Sequence, residues 1–184
     1  MPRSHSTHQP MVKRPVTVHN AFPGLKLDRR AMARAIHTLD AHLASLRPAA
    51  AEDSTLEPFD HELSLAFLTD PALARLHADF LDDPAPTDVI TFAGDPQAGL
   101  AGEICVSVDA ARRQAGGSGA RFAAELTLYV VHGWLHLAGH DDLAPGPKRR
   151  MRAAEARALD RLRAAGALPK FTVANPRGQV KAES

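Results

Sequence analysis

A chain of 184 residues with 45% hydrophobic and 23% charged residues is long enough for one domain with its own core and too short for two ordinary ones. Its formal net charge of +1 excludes a polycation that binds nucleic acid over its whole surface, so any such binding must come from local basic patches. The single cysteine, Cys105, excludes an intrachain disulfide, and no apolar run approaches the ~18 residues of a membrane span, so a cytoplasmic protein without a membrane partner is expected.

Residues 1–14 mix Pro, His, Ser and basic side chains without apolar periodicity and predict a disordered tail, with His5 and His8 solvated in it. A similar polar tail is expected over 171–184, which leaves 15–170 for the domain. Residues 15–18 read as a short strand, and Met32, Ile36, Leu39 and Leu43, spaced helically behind a capping Asp28, predict a helix over 28–45. Residues 62–68 alternate as a strand, and Asp70-Pro71 opens a helix carrying Leu73, Leu76, His77 and Phe80. Strands follow at 87–92 and 102–108, joined by a turn-rich 94–99, with Cys105 read as core. Asp109 is expected to cap a short helix to Ala115, which the glycines at 116, 117 and 119 break. A long helix over 121–138 then ends at Gly139, and Pro145-Gly146-Pro147 precedes a last helix over 148–165. Strands and helices alternate without clean βαβ repetition, so the fold class is α+β: a single domain, a small mixed sheet packed by helices.

The chemistry concentrates at the end of that long central helix. His132 and His136 lie four apart, which stacks both imidazoles on one face about a turn from each other, the geometry with which two nitrogens grip one metal ion. Gly139 can take the left-handed conformation that turns the chain back, bringing Asp142 round as a third ligand in the spacing H-x3-H-x5-D, as in metzincin proteases. His140 is the alternative third ligand, on a helix that continues past Gly139. Without a metal, the two histidines would simply pack on the helix face among Trp134, Leu135 and Leu137. Gly133 stands where a zinc protease has its catalytic Glu, which disfavours peptide hydrolysis and leaves phosphodiester cleavage by metal-activated water open.

The run His132-Gly133-Trp134-Leu135-His136-Leu137-Ala138-Gly139, followed by His140-Asp141-Asp142, resembles the signature of the YbeY endoribonucleases, also called rRNA maturation factors. Residues 86–92, 102–104 and 125–132 resemble further blocks of that family in the same order, and the likeness covers about residues 60–165. It implies one Zn2+ held by His132, His136 and Asp142, and a single-strand-specific endoribonuclease acting in 16S rRNA 3′-end maturation and ribosome quality control. The implied partners are ribosomal RNA and the small ribosomal subunit, with ribosomal proteins and an assembly GTPase, and no DNA. Two departures stand out. Asp142 occupies a position where many relatives have His, and Leu81 follows Phe80 where many members carry an Arg implicated in cleavage. Both favour an alternative in which the chain is a ribosome-assembly binding factor with a mainly structural metal.

Seven basic residues between Lys148 and Arg163, with Arg149, Arg150, Arg152 and Arg157 foremost, offer a face that can track a phosphate backbone; the alternative is a solvated face whose stems cover Leu159 and Leu162. Arg112, Arg113 and Arg121 form a second possible patch. Glu125 lies about two turns before His132 and is a candidate helper that orients a ligand or moves protons, with an ion pair to Arg121 as the alternative.

Overall fold

A computed structural model describes residues 12–49, 56, 57, 59–81 and 87–174. Their elements are β1 (Val16–Asn20), β2 (Leu25–Leu27), α1 (Arg29–Asp40), α2 (Leu43–Leu46), β3 (Glu62–Leu68), α3 (Asp70–Leu81), β4 (Val89–Ala93), β5 (Leu100–Ser107), α4 (Val108–Ala115), α5 (Gly119–Leu137), α6 (Pro145–Ala164) and β6 (Phe171–Val173). A four-stranded sheet runs β1-β3-β5-β4, with β1, β3 and β5 parallel and β4 antiparallel at one edge. The domain is thus α+β with a small mixed sheet, as its pattern of alternating elements predicts.

Strands covered on both faces read as continuous apolar runs, and β3 is buried along nearly its whole length. Leu63, Leu65 and Phe67 face the main core with Met32, Ile36, Leu126 and Trp134, while Ala66 and Leu68 point to the other face, where Leu73 of α3 packs with Ile90 and Cys105. Burial pushes the Cys105 thiol up to about 12, with Glu103 adding to the shift, so it is an inert core residue.

Several local signals act as the sequence predicts. The Asp28 carboxylate accepts from the backbone of Arg30 and Ala31 and starts α1. The helix expected over 28–45 is nonetheless two, because the backbone N–H of Ala41 closes α1 on His37 and Leu39, and the turn at His42 lets Leu43 and Leu46 reach the core from α2. Ser107, not Asp109, caps α4, its hydroxyl accepting from the Ala110 backbone at 2.9 Å. Asp109 instead accepts from the backbone of Asp70 at the start of α3. The last helix begins at Pro145, three residues before the predicted start, since proline at the first position lacks only an N–H that would be unpaired there.

Both expected tails are shorter than their composition suggests. Phe171–Val173 pairs antiparallel with β2, and the Phe171 ring lies 5.6 Å from that of Phe67. At the other end Arg14 is buried, its guanidinium bonded to Asp40 at 2.7 Å and donating to the carbonyls of Leu56 and His61. The remainder of both expected tails, residues 1–11 and 175–184, lies outside the described residues.

Gly133 marks the closest approach of α5 to the sheet. A Cβ there would come within 2.5 Å of the Ile104 side chain and 3.1 Å of that of Thr91. The position that carries a catalytic Glu in zinc proteases therefore has no room for any side chain, a packing reason for the glycine that the motif alone does not give.

Candidate metal centre

The geometry of the site follows from how α5 ends. The backbone N–H of His140 bonds to the Leu135 carbonyl across five residues, and Gly139, at φ 95°, makes the reversal in a conformation that costs other residues strain. The reversed chain delivers Asp142 to the histidine pair. The Nε2 atoms of His132 and His136 are 2.9 Å apart, and the Asp142 carboxylate oxygens lie 3.7 Å from the first and 3.8 Å from the second. The same reversal turns His140 inward, where its Nε2 meets the Leu46 carbonyl at 2.7 Å in a buried position. Asp142, rather than His140, is thus the third residue brought to the pair.

This donor triangle fits a small tetrahedral ion. Bonds of about 2.0–2.2 Å place ligand atoms about 3.4 Å apart, and separations of 2.9, 3.7 and 3.8 Å bracket that value. One ligand atom from each of the three side chains can be chosen so that all lie within 4.8 Å of one another. The histidines are also held in the required tautomer: His136 Nδ1 donates to the His140 carbonyl at 3.0 Å, and His132 Nδ1 donates to the Glu155 carboxylate at 2.7 Å. Both Nε2 lone pairs are left facing the same point.

The electrostatics separate the two rings. Burial alone lowers His132, but Glu155, Asp142 and Asp88 outweigh it and raise its pKa. His136 is lowered, by burial and then by the charge of His132.

Glu155 takes the place behind His132 that the spacing offered to Glu125. It reaches the site from α6, while Glu125 is half-buried two turns up α5, is not part of the cavity wall beside the ligands, and makes no ion pair with Arg121 among the described residues. A Glu155→Gln variant is expected to weaken metal binding about 10–100-fold, since loss of such a carboxylate partner lowers ligand basicity and frees the ring to rotate. Competition with a chromophoric chelator measures it; unchanged affinity would make the bond incidental.

A cavity of about 360 Å³ opens beside the three ligands, walled also by His77 of α3 and by the stretch from Thr87 to Thr91, including the exposed Asp88. Neither His77 nor Asp88 stands out in sequence as part of the site. A larger cavity of about 630 Å³ lies at the other end of α5, beside Arg112, Arg113, Phe122 and Phe171, and holds none of the ligands. The smaller cavity is the one that the three candidate ligands line. Around the larger one Arg113 pairs with Asp70, and Arg112 lies 3.9 Å from Asp109 and 5.9 Å from the Phe22 ring, so these arginines are engaged within the fold. By contrast Arg149, Arg150, Arg152 and Arg157 are exposed on α6 and enter no ion pair among the described residues, while Met151, Ala154, Ala158 and Leu162 face the core. Leu81 closes α3.

Fold and site together define a small α+β protein with a potential metal centre of three donors, open on one side to a cleft. The chain belongs to the YbeY family, matching the family described as Endoribonuclease YbeY over residues 28–163. Among curated proteins, it is 39% identical over 100 residues to an endoribonuclease YbeY of Kineococcus radiotolerans, covering 49% of this chain and 58% of that one. It is 36% identical over 127 residues to that of Anaeromyxobacter dehalogenans, covering 67% and 63%. The matched part is thus about three fifths of either relative's length. A solution structure from Thermotoga maritima aligns with 89% of this chain and 99% of its own at 18% identity and a TM-score of 0.49.

Proposed function

We propose that the protein is a zinc-dependent, single-strand-specific endoribonuclease of the cytoplasm that matures the 3′ end of 16S rRNA and serves ribosome quality control. The observation that carries this reading is the donor triangle of His132, His136 and Asp142 at the wall of an open cleft. Structural zinc sites are closed by four protein ligands, whereas catalytic ones keep a position open; three donors beside a cavity favour catalysis over a binding factor with a structural metal. The relatives' name, endoribonuclease, supplies the substrate class.

Zinc held there supplies Lewis acidity toward a phosphoryl oxygen and toward water. Glu155 keeps His132 turned to the ion, and the His140 carbonyl does the same for His136. Asp88, the carboxylate on the cavity wall outside the ligand set, accepts the proton of the attacking water, a role that the sequence reading offered to Glu125. The unpaired arginines of α6 draw the RNA backbone in from solvent. The small ribosomal subunit, its proteins and an assembly GTPase are the partners of this reading. No helix of the described residues is long and apolar enough to cross a membrane.

The test is cleavage of single-stranded RNA by protein of known zinc content. Removal of zinc by a chelator is expected to abolish cleavage, and addition of one equivalent to restore it; stoichiometric zinc without cleavage would overturn the reading.

A further inference from the structure

The two edges of the four-stranded sheet are treated differently by the fold. Along β1, helix α1 supplies partners: Arg29 Nε donates to the Val18 carbonyl at 3.2 Å, and His37 Nε2 meets the Arg14 carbonyl at 2.9 Å. β4 forms the other edge and pairs only with β5 among the described residues. Its register is continuous, from Val89 opposite Val106 to Ala93 opposite Gly102, with no bulge.

Hydrogen bonds at the two ends of this pairing fix which residues face β5. The Ser107 amide donates to the Asp88 carbonyl at 2.8 Å, and the Gly94 amide to the Ala101 carbonyl at 3.2 Å. Bonding alternates along an antiparallel pair, so Ile90 and Phe92 also turn their backbone groups to β5, while Val89, Thr91 and Ala93 turn theirs outward. The Thr87 hydroxyl donates to the Val89 carbonyl at 3.1 Å. The three outward amides, and the carbonyls of Thr91 and Ala93, make no bond among the described residues.

Proteins protect such an edge with charged side chains, prolines or bulges. Val89–Ala93 has none of these. Instead Asp88 precedes the strand and Asp95 follows it, both exposed, and they are the only charged residues from 87 to 99. Thr87 to Thr91 also wall the cleft beside His132, His136 and Asp142, so a strand laid on this edge crosses the mouth of the cleft. The alternation of open donors and acceptors selects the occupant. Phosphates only accept hydrogen bonds, and a carboxylate at each end of the edge repels them. An extended polypeptide presents an N–H and a C=O at every second residue, in the spacing of a sheet.

We propose that the edge of β4 is a docking site for an extended, basic segment of a protein partner, which adds to the sheet as a further strand with its cationic side chains beside Asp88 and Asp95. The added strand covers the cleft and excludes RNA from the candidate ligands; that consequence, unlike the docking, rests on the nuclease reading.

The probe is a peptide of alternating lysine and threonine, as long as 88–95 and blocked at both ends, added to the zinc-loaded full chain. Amide hydrogen exchange followed by NMR is expected to slow at Val89, Thr91 and Ala93, while Ile90 and Phe92, already bonded to β5, change little. N-methylation of alternate peptide residues in one phase removes the N–H groups that face β4 and is expected to weaken binding about tenfold; in the other phase the methyl groups face solvent and affinity is kept. A peptide with glutamate in place of lysine is expected to bind at least about tenfold more weakly. For RNA cleavage the lysine peptide is expected to raise KM and leave kcat unchanged. No slowing at the three outward amides, or equal affinities for the two methylated peptides, would overturn the docking. Slowing produced by single-stranded RNA and not by the peptide would overturn it too, assigning the edge to nucleic acid. An unchanged KM at saturating peptide would overturn the exclusion of RNA. A protein that cleaves no RNA would remove the nuclease reading alone, and exchange and affinity would still decide the docking.

Discussion

A His136→Ala variant is expected to lose zinc and RNA cleavage together. Zinc binding by four-ligand peptides is worth about 10–16 kcal/mol, or roughly 3 kcal/mol per ligand, so removal of one ligand is expected to weaken binding by at least about 100-fold. With three donors at the start, the two that remain make a weak site. His136 is a cleaner probe than His132, whose loss would also strand the Glu155 carboxylate. Its ring is 26% exposed beside the cleft, so truncation opens no core void. Asp142→Ala is expected to behave alike, whereas Asp142→His is expected to keep zinc, since imidazole replaces one good donor with another. Metal analysis and cleavage measured on the same samples check this. Zinc retained at one per chain by both alanine variants would remove these residues from the ligand set.

The second large effect is expected far from the cleft. Arg14→Ala is expected to destabilise the fold by about 3–5 kcal/mol, because it leaves a buried carboxylate without its cation. In a domain of this size about 1 kcal/mol shifts Tm by 2–4 °C, so a fall of roughly 6–20 °C should appear in thermal unfolding. The mechanism is visible at Asp40, which takes a bond from Arg14 on one oxygen and from the Trp134 indole, at 3.1 Å, on the other. Burial raises the Asp40 pKa even against the pull of Arg14 and Trp134. A carboxyl whose folded pKa is raised contributes stability that is fully present below its unfolded value and is lost as pH rises through the folded one. Without Arg14 that pKa rises further. The part of the deficit that comes from Asp40 should therefore be small below about pH 4 and full at neutral pH, while the part from the carbonyls of Leu56 and His61 stays at every pH. An equal Tm for variant and wild type at neutral pH would show that the pair contributes nothing.

What could be read from the sequence is what short spacing determines. His132, His136, Gly139 and Asp142 lie within eleven residues on one helix end, so helical periodicity and one glycine suffice to bring them together. Glu155, Asp88 and His77 reach the same place from α6, the start of β4 and α3, and only the packing of those elements assembles them. Spacing along α5 therefore pointed to Glu125 where the fold supplies Glu155. β2 and β6, at three residues each, are too short to show a period. Arg14 reads as part of a tail because a charged residue near a polar end looks solvated, and nothing local signals that Asp40 pairs with it in the core. Ser107 and Asp109 are both good caps two residues apart, and the end of β5 chose between them.

The pairing of β2 with β6 ties the first part of the described chain to its last. Until Phe171–Val173 has been made, Leu25–Leu27 has no strand to pair with, and the Phe67 ring lacks Phe171 beside it. The domain therefore cannot complete its fold while most of it is already synthesised, and the nascent chain carries an open strand edge and part of its core uncovered until residues 171–173 have been made. Any pause in synthesis between α6 and β6 would hold the molecule in that state, with the Leu25–Leu27 edge and the Phe67 ring open to contacts with other chains.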